Sequence, residues 1–368
     1  MNTKIKFLLQ KIGLLTSVKN LNENLNLYLS KKYYAAIRSE GFKNLPSRFT
    51  IELTSHCNLN CSFCFQNKEF RNNKDLTIEK IDTLLGRIEK HCKSIVLTGG
   101  EIFLRPDIFE IFDLISNKYK KKFFIITNGT LIKGERIKKL INFSDSIIGI
   151  QFSIDGSESI HNKLRGSNSA FGLTIDAIAS LKDIFTTSIS CVITDENFSY
   201  LCDVLKIAKK LGVFSVNYSF KMYSNYSDID ISKKFLSLNK DEITTYVCSD
   251  SLNYIKVLQM VNEVRNSAKR LGIAVSFVPK IGGGSFQLFC EGNLRSKRKL
   301  TCTEFNECRL NSSGDVVHCH LINKSFGNIF NSTLEDIWQS QEYVNFRKIM
   351  IDVNLLPVCN YCCKLIVV

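Results

Sequence analysis

The sequence predicts an α/β fold: a partial (β/α)6 barrel followed by a small α+β domain rich in cysteine. From residue 48 onward, short β-rich apolar runs alternate with amphipathic helical stretches, the pattern of βα units around a parallel sheet. Six such runs with right-handed crossovers favour an open barrel over a closed barrel of eight strands. Cysteines spaced through the last third of the chain indicate the second domain.

The apolar pattern assigns the elements in chain order. The predicted strands are 48–54, 94–98, 122–127, 146–154, 187–194 and 214–222. The predicted helices are 77–91, 106–119, 134–143, 170–185, 200–211 and about 251–271. A polar stretch at 224–237, a strand at 273–278 and a glycine-rich hinge at 281–285 complete the pattern. The expected domains are an N-terminal helical arm (1–47), the barrel (48–275) and a C-terminal domain (276–368).

Composition indicates an ordinary globular protein, with 44% hydrophobic residues, 23% charged residues and 4 prolines among 368 residues. The net charge is +14, but residues 1–50 hold nine Lys and Arg against two Glu, a surplus of seven, so half of the excess lies in the arm. A solvated basic arm explains this without a specific nucleic acid partner. With no signal peptide or membrane-length apolar run, we expect a cytoplasmic protein whose 14 cysteines serve metal or redox chemistry.

The first predicted strand leads into Cys57, Cys61 and Cys64, spaced C-x3-C-x2-C. Barrel enzymes carry their catalytic groups at this end of the strands. Three thiolates fill three corners of a [4Fe-4S] cube and leave one iron open to an outside ligand. A zinc site or a structural cluster would use the same residue type, so the loop alone leaves those alternatives open.

Three further predicted strands end in glycine or polar residues on the same rim. These residues are Gly99, Gly100, Glu101, Asn128, Ser153 and Asp155. Glycine lets the main chain approach a ligand closely, and carboxylates can bind an ammonium group or ribose hydroxyls. The four motifs together therefore predict a ligand site beside the cysteine loop.

With these motifs, residues 48–220 closely resemble the radical S-adenosylmethionine (radical SAM) superfamily. In that family Cys57, Cys61 and Cys64 would hold a [4Fe-4S] cluster whose open iron binds S-adenosyl-L-methionine. Reductive cleavage then yields a 5′-deoxyadenosyl radical that abstracts hydrogen from substrate. The resemblance also implies an electron donor such as flavodoxin or ferredoxin.

The resemblance assigns eight residues to S-adenosylmethionine: Phe63, Gly99, Gly100, Glu101, Asn128, Ser153, Asp155 and Arg165. Phe63 would bring main chain to the adenine, and the glycine turn would receive the methionyl amine. Ser153 and Asp155 would lie near the ribose and carboxylate, and Arg165 would neutralise that carboxylate. Ile102 stands where the family commonly has proline, which changes a turn locally.

The C-terminal cysteines resemble a shortened SPASM or "twitch" domain. Cys302 and Cys319 flank a glycine as C-x11-G-x4-C, and Cys359-x2-Cys362 follows near the end. The resemblance implies one auxiliary [4Fe-4S] cluster on these four thiolates, and a four-cysteine zinc site fits the same ligands. The cysteines that could substitute are Cys290, Cys308 and Cys363.

Family resemblance favours a peptide or protein substrate that is oxidised or cross-linked. The alternative is oxidation or rearrangement of a small molecule, such as a sugar, an aminocyclitol or a nucleotide-derived compound. A third alternative is a non-catalytic iron-sulfur electron carrier or zinc protein. It ranks last because the glycine and carboxylate motifs at the strand ends would then have no function. No residue pattern identifies a catalytic acid or base.

Overall fold

The computed structural model describes residues 44–64, 74–236, 242–243, 246–247, 253–281 and 284–368. Most of the predicted N-terminal arm therefore lies outside the described residues, as do Gly282 and Gly283 of the predicted hinge and Cys248. The predicted domain limits stay a prediction. Within the described residues, no helix is long and apolar enough to cross a membrane.

The six predicted barrel strands form a continuous parallel sheet in chain order, which confirms the predicted fold class. They are β1 (Arg48–Glu52), β2 (Ser94–Thr98), β3 (Phe123–Thr127), β4 (Ile147–Ser153), β5 (Thr187–Ile193) and β6 (Ser215–Phe220). Alternate residues such as Phe49, Ile150 and Val216 join the main hydrophobic core. Because successive side chains point to opposite faces, Gln151 and Asn217 lie on the inner face, which also carries apolar residues such as Ile126.

Helices follow these strands and cover the outer face. They are α1 (Ile78–Ile88), α2 (Ile108–Asp113), α3 (Glu135–Ile141), α4 (Glu158–Arg165), α5 (Ala170–Leu181) and α6 (Leu201–Leu211). The buried positions of α1 and α6 recur at helical spacing, as the sequence predicts. Helix α4 was not predicted, because its mostly polar sequence ESIHNKLR buries only His161, Leu164 and Arg165.

The segment after β6 is more regular than predicted. Short strands β7 (Tyr223–Ser224) and β8 (Tyr246–Val247) pair with each other, and the polar stretch between them contains helix α7 (Tyr226–Leu236). Helix α8 (Tyr254–Leu271) leads to β9 (Ala274–Val278), which pairs with β6 in parallel. The predicted limit at residue 275 falls within β9, a strand of the barrel sheet.

The C-terminal part extends the same sheet. Its elements are α9 (Gly284–Cys290), α10 (Leu294–Lys297), β10 (Leu300–Cys302), β11 (Glu307–Leu310), β12 (Asp315–Val317), β13 (Ser325–Asn328), α11 (Leu334–Gln339), α12 (Gln341–Asp352) and β14 (Leu365–Val367). Strand β11 pairs in parallel with β1, and β12 and β13 continue antiparallel beyond it. Strand β1 leads into the first cysteine loop, and Cys319 follows β12 of the same ten-stranded sheet. Strands β10 and β14 pair with each other in a separate two-stranded sheet, in which Cys302 lies opposite Leu365.

Candidate functional site

Cys57, Cys61 and Cys64 lie together at the carboxyl end of β1. All three contact one small hydrophobic cluster that also contains Leu59 and Phe63. Cys61 is buried, while the other two thiols are partly exposed. Burial raises the pKa of the Cys61 thiol, and the Arg165 guanidinium opposes that effect. The predicted loop therefore gathers three thiols at an accessible rim of the sheet.

The turn after β2 holds the cysteine loop from one side. The N–H of Gly100 donates to the carbonyl of Thr54 at 2.8 Å, and the N–H of Glu101 donates to that of His56 at 2.8 Å. A Cβ on Gly100 would lie 2.0 Å from the His56 carbonyl oxygen. A Cβ on Gly99 would lie 2.4 Å from the Thr54 carbonyl oxygen, and the φ of Gly99 is +149°. Both glycines are therefore needed for main-chain packing between β2 and the cysteine loop.

The carboxylate of Glu101 is engaged within the protein. Glu101 is 1% exposed. Its Oε1 accepts hydrogen bonds from the Thr127 hydroxyl at 2.8 Å and from the Phe103 N–H at 3.1 Å. Its Oε2 accepts a hydrogen bond from the Asn128 N–H at 2.7 Å. Burial raises the pKa of this carboxyl, and the hydrogen bonds oppose the rise. Glu101 therefore joins the ends of β2 and β3, and its side chain faces no solvent.

Asn128 fixes the cysteine loop from a second side. Its Nδ2 donates to Asn58 Oδ1 at 3.0 Å, and Asn58 Nδ2 donates to Thr130 Oγ1 at 2.9 Å. Asn128 Oδ1 accepts from the N–H and hydroxyl of Thr130. The sequence motifs did not identify Asn58 or Thr130, although Asn58 directly follows the first cysteine.

The carboxyl end of α4 fixes the loop from a third side. The N–H groups of Asn60 and Ser62 donate to the carbonyls of Arg165 and Leu164, at 3.2 and 2.9 Å. Gly166 then ends the helix with φ +64°, where a Cβ would lie 2.8 Å from the Asn60 oxygen. This unpredicted helix therefore positions both the loop and the predicted Arg165.

Asp155 and Arg165 form a buried ion pair beside the cysteines. The Arg165 Nε donates to Asp155 Oδ2 at 2.6 Å, and Asp155 is 0% exposed. Asp155 Oδ1 accepts from the Val192 N–H at 3.0 Å, and His161 Nδ1 lies 3.7 Å from Oδ2. Burial lowers the pKa of His161 to about 4, so this histidine is neutral. Ser153, in contrast, lies on the partly exposed inner face of β4.

The second cysteine group also comes together. The thiols of Cys302, Cys319, Cys359 and Cys362 are close enough to influence one another's pKa. Burial raises the pKa of Cys319 to about 12 and that of Cys359 to about 11. The predicted ligands therefore form one group, in which Cys302 is partly exposed and the other three are buried, although they lie up to 60 residues apart.

Main-chain N–H groups surround three of these sulfurs. Glu304 donates to Cys302 Sγ at 3.3 Å, Ile322 to Cys319 Sγ at 3.3 Å, and Lys364 to Cys362 Sγ at 3.4 Å. Hydrogen bonds of this kind stabilise thiolates that ligate an iron-sulfur cluster. The donor set and its surroundings therefore fit a cluster.

Helix α7 supports this group through contacts that the sequence pattern did not predict. Ser232 Oγ accepts from the Val358 N–H at 2.9 Å, and Asp228 Oδ2 accepts from Asn360 Nδ2 at 3.0 Å. These bonds fix the turn that carries Cys359.

The remaining cysteines differ in their surroundings. Cys363 lies beside Cys362 and His320, which places it at the edge of the second group. Cys290 and Cys308 are 0% exposed in the hydrophobic core, and Cys308 has Cys92 as its neighbouring thiol. Cys191 is likewise buried in the core, while Cys202 is partly buried against it. Among the three cysteines named as possible substitutes, Cys363 is therefore the one placed beside the predicted ligands.

A charged network connects the second group to the inner face of β1. Arg309 of β11 donates to the carboxylate of Glu52, and Lys364 pairs with Glu304 at 2.9 Å. Burial opposes ionisation of Glu304, but Lys364 and Arg309 outweigh it and lower the pKa of this carboxyl to about 2. The network reinforces the β1–β11 pairing between the two cysteine groups.

Two family profiles match the segments that contain these two cysteine groups. Residues 51–208 match the family profile of the Radical SAM superfamily, and residues 302–363 match that of SPASM, an iron-sulfur cluster-binding domain. The chain is 26% identical over 333 residues to the AdoMet-dependent heme synthase of Methanosarcina barkeri, covering 87% of this chain and 89% of that protein.

Two further similarities are to a bacteriocin biosynthesis protein and to a structure solved with a precursor peptide. The subtilosin biosynthesis protein AlbA of Bacillus subtilis is 26% identical over 306 residues, and the match covers 80% of this chain but 60% of AlbA. The crystal structure of Streptococcus suis SuiB bound to the precursor peptide SuiA superposes with a TM-score of 0.63 at 16% identity. That match covers 87% of this chain and 71% of SuiB, and it shows a shared fold. The chain therefore belongs to the radical SAM superfamily, as an enzyme whose C-terminal SPASM domain binds an auxiliary iron-sulfur cluster.

Proposed function

We propose that this radical SAM enzyme abstracts hydrogen from a peptide or protein and oxidises or cross-links it. The family's [4Fe-4S] cluster and S-adenosylmethionine supply the 5′-deoxyadenosyl radical. The observation that carries the proposal of a peptide is the edge of β9, the last strand of the sheet among the described residues, which lies beside a pocket suited to one side chain. The inner face of the barrel sheet would receive the reacting part of such a substrate.

In this proposal Cys57, Cys61 and Cys64 ligate the first cluster, because three thiols lie together on a partly exposed loop. The glycine turn, Phe63 and Ser153 contact S-adenosylmethionine. The side chains of Glu101, Asn128 and Asp155 hold the surrounding loops instead, because their polar atoms are already bonded within the protein.

The auxiliary cluster is a [4Fe-4S] cluster on Cys302, Cys319, Cys359 and Cys362 in this proposal. A single zinc ion would draw four thiolates to about 2.3 Å from one point, whereas a cube of four irons spreads its ligands farther apart. Residues 302–363 match the profile of an iron-sulfur cluster-binding domain, which favours the cube over a single zinc ion.

The metal content tests this assignment. We expect the anaerobically reconstituted protein to bind about eight irons, and the double variant Cys359→Ala/Cys362→Ala about four. The matched control is Cys363→Ala, which removes the neighbouring thiol and should leave about eight. Iron and zinc are measured by elemental analysis. About four irons plus one zinc in the parent protein would establish the zinc alternative.

The edge of β9 supports a peptide substrate. In the described part of the chain, β9 (Ala274–Val278) pairs with β6 and is the last strand of the ten-stranded sheet; beyond its end, Lys280 forms an isolated parallel bridge with Ile366 of β14. An exposed strand edge can pair with an extended peptide, whose main chain then supplies the hydrogen bonds. Such pairing would bring a peptide to the opening of the partial barrel.

A pocket beside this edge would hold one side chain of the peptide. Its volume is about 200 Å³, and its lining includes Tyr254, Phe277, Phe286 and Arg265. That volume is below the range of about 300–1,000 Å³ for whole small-molecule sites. The apolar walls and the exposed guanidinium suit an apolar residue followed by an acidic one.

A small molecule is the second candidate substrate. The heme synthase of M. barkeri matches this chain over 89% of its own length, whereas AlbA matches over 60%. The similar chain length favours a substrate related to that of the heme synthase.

Anaerobic incubation of the reconstituted enzyme with separate peptide and metabolite fractions of its source cell distinguishes the two candidates. We expect a mass change in the peptide fraction that requires S-adenosylmethionine. The variant Arg265→Glu should reduce that conversion, while Lys269→Glu, the same charge change one turn further along α8, should not. A mass change confined to the metabolite fraction would contradict the peptide proposal.

A further inference from the structure

Arg165, which the family resemblance assigns to the carboxylate of S-adenosylmethionine, also contacts the Cys61 thiol. Arg165 is 8% exposed, and its Nη1 lies 3.7 Å from Cys61 Sγ, within hydrogen-bonding distance for sulfur. The guanidinium carbon lies 5.0 Å from the centre of the Phe63 ring. One face of the guanidinium therefore packs on the cysteine loop, and one edge points at a proposed cluster ligand.

Asp155 and its neighbours hold this guanidinium in place. The Asp155 carboxylate binds Arg165 Nε at 2.6 Å and the Val192 N–H at 3.0 Å. Its main-chain N–H donates to His161 Nδ1 at 3.2 Å, and its carbonyl accepts from Asn197 Nδ2 at 2.8 Å. Because Asp155 is bonded at its N–H, its carbonyl and both carboxylate oxygens, it is a rigid support for Arg165.

We propose that Arg165 sets the reduction potential of the first cluster through its N–H···S hydrogen bond to Cys61 and its positive charge. Hydrogen bonds to the sulfurs and the local charge are main determinants of iron-sulfur potentials. Reduction adds one negative charge to the cluster, and a nearby donor and cation stabilise that charge. Arg165 therefore makes the cluster easier to reduce, and Asp155, an anion next to the same guanidinium, limits the effect.

This role differs measurably from binding S-adenosylmethionine. A residue that only neutralises the methionyl carboxylate affects the affinity for S-adenosylmethionine but leaves the potential of the ligand-free cluster unchanged. A residue that bonds to Cys61 affects that potential directly. The inference is independent of the substrate and rests on Cys61 being a cluster ligand.

The test is a redox titration of the full-length reconstituted protein without S-adenosylmethionine, followed by electron paramagnetic resonance. The first cluster's signal is identified as the one that changes when S-adenosylmethionine is added. We expect Arg165→Gln to lower the midpoint potential of that signal, and Arg165→Lys to lower it less. The matched control is Lys163→Gln, which removes a positive charge from the same helix. The Lys163 side chain is 69% exposed and pairs with Glu196, so this variant should leave the midpoint potential unchanged.

An unchanged potential in an Arg165→Gln protein with full iron content would overturn the proposal, as would an equal shift in Lys163→Gln. If Arg165→Gln does not fold, Asp155→Asn gives the second measurement. Removing that anion while keeping the cation should raise the potential, and an unchanged or lowered value would overturn the proposal. The complete absence of a signal sensitive to S-adenosylmethionine in the parent would instead contradict the ligand assignment.

Discussion

Replacing Cys57, Cys61 and Cys64 together by alanine is expected to abolish reductive cleavage of S-adenosylmethionine. The three thiols share one hydrophobic cluster at the rim of the sheet, so they are the ligands that the loop offers. The nearby thiol of Cys191 is 0% exposed in the core on the other face of β5, where it cannot replace them. The measurement is 5′-deoxyadenosine formed under reducing, anaerobic conditions.

The control for this experiment is Cys202→Ala, which removes a partly exposed thiol outside both cysteine groups. We expect this variant to form 5′-deoxyadenosine at the parent rate. The triple variant must retain its auxiliary iron, which shows that it has folded. Continued formation of 5′-deoxyadenosine by the folded triple variant would refute the assignment of the first cluster.

The variant Gly100→Ala is expected to lower both stability and activity. Its Cβ would lie 2.0 Å from the His56 carbonyl oxygen, so β2 and the cysteine loop must separate. We expect the free energy of unfolding to fall by about 3 kcal/mol, the upper end for overpacking. Displacing the cysteine loop by about 1 Å should slow S-adenosylmethionine cleavage by about 100-fold. Urea denaturation and 5′-deoxyadenosine formation measure the two effects.

Gly172→Ala is the matched control for the same chemical change. Gly172 lies within α5, and a Cβ there would have no heavy atom within 4 Å. Alanine favours a helix over glycine, so this variant should be as stable as the parent or slightly more stable. Equal stability of Gly100→Ala and Gly172→Ala would show that the turn after β2 can accommodate a side chain.

The strands and most helices of the barrel could be predicted from the sequence because they depend on local spacing. Alternating apolar residues define strands such as β5, and helical spacing defines α6. Helices α4 and α7 were missed because each buries few residues and is held by distant partners. For α7 these partners are Val358 and Asn360, more than 120 residues away in sequence. The spacing of apolar residues within a segment does not predict such long-range contacts.

The sequence by itself determined the superfamily, because the cysteine spacing within the first loop and the motifs at the strand ends are local properties. The second cysteine group spans 60 residues, so only the folded chain brings its thiols together. The tertiary structure decided which polar residues are available to a ligand. Glu101 and Asp155 occur in motifs that suggest ligand binding, yet both are buried and bonded to main-chain groups from other strands. The tertiary structure also decided that Cys308 packs in the core while Cys363 lies beside the second cysteine group. The reason is that availability depends on which distant segments of the chain pack against a side chain, and only the folded chain brings those segments together.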